Sequence, residues 1–130
     1  MLFEKYFTPA EAVKTLLLVK QIVRDILNSA SELRLLKIGE QKDILDNPVI
    51  ADHLQKINDY VEEIKELGCF YKDWNFEIGL VDFPSIINEE EVMLCWKSDE
   101  TEIKYYHYYK DGFAGRKPIP EKYFVEEIVA

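Results

Sequence analysis

Two long stretches in the first half of the chain place apolar residues at alternating spacings of four and three. The first series follows Thr8-Pro9-Ala10-Glu11 and consists of Ala12, Leu16, Val19, Val23, Ile26, Ala30 and Leu33. The second follows Asn47-Pro48 and consists of Ile50, Leu54, Ile57, Val61 and Ile64. Such spacing keeps one stripe of a helix facing a partner helix. The pattern therefore predicts an antiparallel helical hairpin over residues 8–67.

The residues that flank these stripes are typical helix boundaries. Thr8 supplies a capping hydroxyl, Pro9 occupies the first helical position, and Glu11 can reach back to the cap amide. Gly39 is the predicted end of the first helix, and Leu67-Gly68 ends the second. The first helix is about ten residues longer than the second, about 15 Å of helix, so part of it needs another partner. Its stripe could also pack on a second copy of the chain.

After Gly68 the pattern changes to short β-branched and aromatic runs bounded by turn-forming or charged residues. The predicted strands are residues 69–73, 78–83, 92–97 and 103–109, and they form a four-stranded antiparallel meander. The fold class is α+β, with the long hairpin packed on one face of the sheet. We expect one domain over residues 1–130, made of the hairpin (8–67), the meander (69–109), and a glycine-containing loop with a C-terminal tail (110–130).

The sheet register determines which side chains share a face. A turn that pairs Lys97 with Glu102 places Val92 opposite His107, and carrying a similar register to the preceding strand places Asp82 beside Val92. Asp82 and His107 then lie at the same end of one face, two strands and about 10 Å apart. A slip of one residue would move Asp82 to the other face. That second face would carry Met93, Cys95, Tyr106 and Tyr108, covered by the tail through residues 123–125 or by a second subunit.

Composition and charge narrow the class of protein. The chain has 130 residues, is 48% hydrophobic and has a formal net charge of −9. All of the acidic excess lies in residues 48–130, which hold nine basic and eighteen acidic residues. Such a surface repels phosphate backbones and anionic membranes, so we expect neither nucleic acid nor membrane as a partner. No secretion signal is apparent, and we expect two reduced thiols and a cytoplasmic location.

The segment Asp111-Gly112-Phe113-Ala114-Gly115-Arg116 contains the strongest candidate binding residues. Gly112 and Gly115 can adopt positive φ, so the chain should double back there, with Phe113 inward and Arg116 beside a row of backbone amides. Arg116 with Asp111, Gly112 and Gly115 could then hold a carboxylate or phosphate. Alternatively, Phe113 closes the end of the sheet and Arg116 pairs with Asp82 or Asp111, of which we favour Asp82.

The sequence contains none of the motifs that identify a reaction. Zinc spacings, phosphate-binding glycine loops and nucleophile elbows are all missing from it. The chain has two cysteines and two histidines, and Cys69, Cys95, His53 and His107 are too scattered along it to predict a zinc site. We therefore predict neither metal nor cofactor.

Several segments together resemble one bacterial family, catalogued as domain of unknown function 2203. The matching segments are residues 7–12, Gly79-Leu80-Val81-Asp82-Phe83-Pro84, Leu94-Cys95-Trp96, His107, and residues 111–118. The resemblance covers nearly the whole chain and implies a small bacterial cytoplasmic protein with no established activity, substrate or cofactor. Residues 72–79 form a longer stretch than is usual, Tyr106 stands where tryptophan is common, and Lys117 stands where a second arginine is common. The last difference argues against a strict two-arginine anion clamp.

Two functions remain open on the sequence. The first is a non-enzymatic interaction or scaffold protein that forms a homodimer or larger homo-oligomer, indicated by the helical stripes and the second apolar sheet face. The alternative is a small-anion binding protein or a small enzyme. In it His107 would act as general acid or base, Asp82 would orient His107, and Arg116 would hold the anion.

Overall fold

A computed structural model describes residues 2–39 and 47–125. The elements, in chain order, are α1 (Pro9–Gly39), α2 (Pro48–Glu66), β1 (Phe70–Tyr71), β2 (Leu80–Ile87), β3 (Glu90–Lys97), β4 (Tyr105–Tyr108) and β5 (Lys117–Pro118). Two 3₁₀ turns, Phe113–Gly115 and Glu121–Phe124, flank β5. The two helices pack together and precede an antiparallel meander, so the α+β prediction is confirmed.

Both helices begin where the capping residues predict. The Thr8 amide donates to a Glu11 carboxylate oxygen at 3.0 Å, and the Glu11 amide donates to the Thr8 hydroxyl at 3.1 Å. The Asn47 side chain accepts from the amide of Val49 at 2.9 Å and caps α2. The predicted end of α2 at Leu67-Gly68 is confirmed as well, and Gly68 takes a φ of +95° where the chain leaves α2. α1 reaches Gly39, the last described residue before residue 47.

The predicted stripe of α1 is the centre of the hydrophobic core. All seven of its residues are buried, together with Ile22 and with Ile50, Ile57 and Ile64 of α2. Of the remaining two residues of the α2 stripe, Val61 is half-buried and Leu54 is 42% exposed. It lies instead at a groove beside Trp74 and Arg34, where the helices meet the segment that precedes β2. The prediction that Leu54 continues the buried stripe is therefore wrong.

The sheet differs from the prediction in strand number and in register. In the described residues five strands form one sheet in the order β1-β2-β3-β4-β5. The additional strand is β5, whose residues Lys117 and Pro118 pair with Tyr106 and Tyr105 of β4. Asn88 and Glu89 both adopt positive φ and form a two-residue turn, so β2 and β3 extend to Ile87 and Glu90. The register predicted for these two strands is thus wrong. Asp82 pairs with Cys95, not Val92.

A second register shift moves β4 by one residue. Met93 pairs with His107 and Leu94 with Tyr106, so the predicted pairing of Val92 with His107 is wrong. Because side chains alternate between the faces of a strand, Tyr106 moves to the helix-facing core with Leu94. His107 moves to the opposite face, and the shift in β2 brings Asp82 to that face too.

No helix in the described ranges, 2–39 and 47–125, is long and apolar enough to cross a membrane.

Candidate functional site

Asp82 and His107, two of the predicted site residues, form a buried pair on the sheet face that is turned away from the helices. Asp82 lies on β2 and His107 on β4. Nε2 of His107 is 3.2 Å from each carboxylate oxygen of Asp82, and only 4% and 6% of the two side chains are exposed. The predicted separation of about 10 Å is too long. Although β3 separates the two strands, the side chains meet above it.

Both ring nitrogens of His107 face hydrogen-bond acceptors. Nδ1 is 2.8 Å from the carbonyl oxygen of Tyr108, while Nε2 faces the Asp82 carboxylate. A histidine that donates from both nitrogens is an imidazolium. Burial alone would lower the pKa of His107, but the hydrogen bonds to Asp82 and to the Tyr108 carbonyl, together with the charge of Asp82, raise it. His107 is therefore held between two acceptors in a buried position, with its pKa raised above the usual value.

Cys95 is a third member of this cluster, which the sequence reasoning missed. It lies on β3 directly opposite Asp82 and is fully buried. Burial, and then the neighbouring Asp82 carboxylate, raise the pKa of the Cys95 thiol to about 12, although Arg116 acts in the opposite direction. At neutral pH such a thiol is protonated and a poor nucleophile. The signal that could have found Cys95 is the β2–β3 register, since the predicted register placed it on the other face from Asp82.

These three residues offer different donor atoms to a common point. In the described part of the chain, a carboxylate oxygen of Asp82, the Cys95 sulfur and a ring nitrogen of His107 all lie within 4.8 Å of one another. We call Asp82, Cys95 and His107 the buried cluster. An oxygen, a sulfur and a nitrogen ligand at this spacing can hold a metal ion.

Arg116 is a latch between the loop 110–116 and the turn that follows β3. Its Nη2 donates to both carboxylate oxygens of Glu100, at 2.6 and 2.8 Å, and to the carbonyl oxygen of Cys95 at 3.1 Å. The guanidinium carbon lies 4.2 Å from the ring centre of Tyr105 and 4.7 Å from that of Phe113. A structural role for Arg116 is thus observed, but its carboxylate partner is Glu100. The predicted pairing with Asp82 is wrong.

The glycine-containing loop is compact, and several of its backbone amides donate hydrogen bonds to carbonyl groups nearby in the sequence. Gly112 has the predicted positive φ, +63°, whereas Gly115 does not; a Cβ at Gly115 would lie 2.5 Å from the Cβ of Asp111. The amides of Asp111, Gly115 and Arg116 donate to carbonyls within residues 108–113. Phe113 is 44% exposed and stacks on Arg116, so it does not point inward as predicted. Asp111, Gly112, Gly115 and Arg116 are brought together in one tight turn, in which three of the backbone amides donate to carbonyls of the turn itself.

The sheet face that carries the buried cluster is covered by the N-terminal segment and by this loop. The ring of Phe3 lies 5.4 Å from that of Phe70 and 5.9 Å from that of Tyr109, and the hydroxyl of Tyr6 donates to Glu91. The 3₁₀ turn Glu121–Phe124 contacts α1 instead, on the other side of the sheet. The prediction that residues 123–125 cover this face is therefore wrong.

Comparison with known proteins identifies a family but no characterised relative. A model of the DUF2203 family, described as an uncharacterized conserved protein, matches residues 5–119. A search of curated proteins found no match. A search of solved structures found none either.

Proposed function

The chain belongs to the DUF2203 family, whose description carries no activity, and we propose that it is a non-enzymatic interaction protein that works as a homodimer. The observation that carries this proposal is an exposed apolar groove beside the first half of α1. The groove has a volume of about 620 Å³ and lies between α1, the start of β4 and the 3₁₀ turn Glu121–Phe124. Its walls include Leu16, Ile103, Tyr105 and Ile119.

A protruding apolar side chain stands at the edge of the same groove. Leu17 is 76% exposed, and its neighbours Val13 and Leu18 are 44% and 50% exposed. An isologous two-fold interface needs one patch that fits a copy of itself. Here the patch supplies both a knob, Leu17, and a cavity that can receive it. That combination favours a second copy of the chain over an unrelated partner.

The charges around the groove also suit a two-fold contact. Lys20 and Lys104 line it together with Glu102 and Glu121, so a copy rotated by 180° can place each sign opposite the other. Charged residues around an apolar centre fix how the two surfaces of an interface align. The surface differs from the stripe that the sequence favoured, because that stripe is already buried inside the molecule.

The buried cluster does not support an acid–base enzyme in this form. Both ring nitrogens of His107 are engaged by Asp82 and Tyr108, and the cluster is closed to solvent. Arg116 is engaged by Glu100. A small-anion binder therefore has less support, and inorganic phosphate or acetate should give no thermal shift. A shift that grows with anion concentration and disappears in Arg116→Ala would favour that alternative.

Light scattering coupled to gel filtration tests the dimer. At about 50 µM chain we expect twice the monomer mass. A stable dimer interface buries on the order of 1,200 Å² in total and has a fully buried centre. Leu17→Glu should give a monomer, since it places a charge in that centre. Leu35→Glu is the matched control: Leu35 is also on α1 and 65% exposed, and the variant should remain a dimer. A monomeric wild type would refute the proposal.

The two unpaired thiols fit the cytoplasmic location that we propose with it.

A further inference from the structure

The pairing of Asp82 with His107 does not explain why Cys95 lies beside them in the buried cluster. Adjacent strands β2, β3 and β4 each contribute one metal-ligating residue, and the three donor atoms lie within 4.8 Å of one another. From this convergence we infer that Asp82, Cys95 and His107 bind one divalent transition-metal ion of the zinc type. The inference concerns a site on the sheet face away from the helices and does not depend on the dimer.

The geometry of the cluster is close to what such an ion requires. Ligand bonds of about 2.0 to 2.3 Å around a tetrahedral ion set the donor atoms roughly 3.3 to 3.8 Å apart. Nε2 of His107 is already 3.2 Å from the carboxylate oxygens of Asp82. Cys95 is the direct cross-strand partner of Asp82, so its sulfur needs only a small side-chain adjustment. Ligands held on strands are also more rigidly placed than ligands on loops.

The surroundings of His107 match those of a metal-binding histidine. Such a histidine usually donates its second ring N–H to a carbonyl or carboxylate, which fixes the ring and leaves the other nitrogen free to bind. In this chain Nδ1 faces the carbonyl oxygen of Tyr108 at 2.8 Å. Nε2 is then the nitrogen directed at Asp82 and at the position of the ion.

Charge balance is compatible with an ion in this buried site. A divalent ion bound by the Asp82 carboxylate, a Cys95 thiolate and a neutral His107 ring gives a net charge of zero for the ion and its ligands. The bound state then leaves no uncompensated charge in the protein interior.

The donor set also selects the class of metal. Calcium and magnesium are bound through oxygen atoms, and only one of the three ligands here is an oxygen. One thiolate, one imidazole and one carboxylate suit zinc, or cobalt as its spectroscopic substitute. Cysteine and histidine spacing in the sequence does not predict this site, because the third ligand is an aspartate.

Cobalt substitution tests the site in the full-length chain. We expect about one zinc per chain by elemental analysis of protein purified without metal columns or chelators, and Co²⁺ should replace it. Bound Co²⁺ should show the near-ultraviolet absorption of a cobalt–thiolate bond. The chain has only two cysteines, so Cys69→Ser, which removes the other buried thiol, must retain this absorption. Because Cys69→Ser leaves the proposed ligands intact, the result does not depend on folding of a ligand variant.

Variants of the two histidines complete the assignment. His53→Gln should retain the cobalt spectrum, whereas His107→Gln should lower the affinity for Co²⁺ at least tenfold. The inference is overturned if the wild type carries no metal as purified and shows no thiolate absorption with Co²⁺, including when Co²⁺ is present during refolding. It is also overturned if the absorption is lost in Cys69→Ser or if His107→Gln binds Co²⁺ like the wild type.

Discussion

Asp82 and His107 bridge two strands that are not neighbours. Their side chains meet at 3.2 Å over β3, and Cys95 occupies the position beneath them. The contact ties β2 to β4 without any backbone hydrogen bond between these strands. A buried contact of this kind has a high energetic penalty when one partner is removed, because the other charge remains buried and unpaired.

The first prediction concerns this pair in metal-free protein. In the presence of a chelator, Asp82→Ala and His107→Ala should each lower the free energy of unfolding by about 3 to 5 kcal/mol. The double variant should lose far less than the sum, since neither charge is then left alone. Urea denaturation measures all four proteins. Asp99→Ala, which removes the exposed partner of Lys97, is the control and should change stability by less than about 0.5 kcal/mol. Additive losses at Asp82 and His107 would contradict the pairing.

The second prediction concerns the latch between Arg116 and Glu100. Arg116→Ala removes two charge-assisted hydrogen bonds in a largely buried position, with 14% and 18% of the two side chains exposed. The expected loss is about 2 to 3 kcal/mol. Glu100→Gln should be strongly coupled to it in a double-mutant cycle. Glu102→Gln, an exposed carboxylate two residues away, should instead be additive with Arg116→Ala to within about 0.5 kcal/mol. Equal coupling to both carboxylates would argue against a specific latch.

The third prediction uses the cap of α1. Hydrogen bonds from the Thr8 amide and hydroxyl lower the pKa of Glu11 from its usual 4.5. A carboxylate with a lowered pKa stabilises the fold above its unfolded pKa, and this contribution is lost as the pH falls through the folded value. Glu11→Gln should therefore cost stability at pH 7 and progressively less below about pH 4.5. Thr8→Ala should cost about 1 kcal/mol at pH 7.

The control for this cap prediction is Glu32→Gln, which changes the same charge at an exposed position in the last third of α1. It should leave the pH dependence of urea denaturation close to that of the wild type. Parallel pH profiles for the wild type and Glu11→Gln would show that the cap does not act through the charge of Glu11.

The helices could be predicted from sequence because their signals are local. Thr8 and Glu11 lie three residues apart, and each residue of the α1 stripe lies three or four positions from the next, so one window of sequence contains the whole signal. The burial of Leu16 and Val23 follows directly from that spacing. The prediction for Leu54 was wrong; this residue lines a groove together with Trp74, which lies twenty residues away and outside any local window of sequence.

The sheet register could not be predicted because it depends on one unusual turn. Two-residue hairpin turns are normally signalled by Asn-Gly or Asp-Gly, whereas here Glu89 adopts a φ of +67° after Asn88. Without that signal the predicted turn was too long, and the pairing of β2 with β3 shifted by three positions. An odd shift reverses the faces. For this reason Asp82 and His107 were recognised as candidates but assigned to the helix-facing side, away from Cys95, which completes the cluster on the other face.

The last prediction concerns a close approach of α1 to the residue that precedes β2. Gly79 precedes β2, and a Cβ built there would lie 2.3 Å from a methyl carbon of Val23 and 2.9 Å from the Cβ of Ser98. The amide of Gly79 donates to the Ser98 hydroxyl, and its carbonyl accepts from the Ser98 amide at 2.8 Å, so the backbone is held on one side while Val23 presses from the other. Gly79→Ala should therefore lower the free energy of unfolding by about 1 to 3 kcal/mol, as overpacking of a filled core does.

Val23→Ala provides the partner for this test, because it removes the methyl groups that the new Cβ would meet. On its own it should be destabilising, since Val23 is 1% exposed and truncation leaves a cavity. Combined with Gly79→Ala it should cost less than the sum of the two single changes, because the alanine methyl occupies part of the space that Val23 vacates. If urea denaturation instead gave additive losses, Gly79→Ala would be acting through the Ser98 side or the backbone, and the close approach of α1 would not be the reason that glycine is needed at this position.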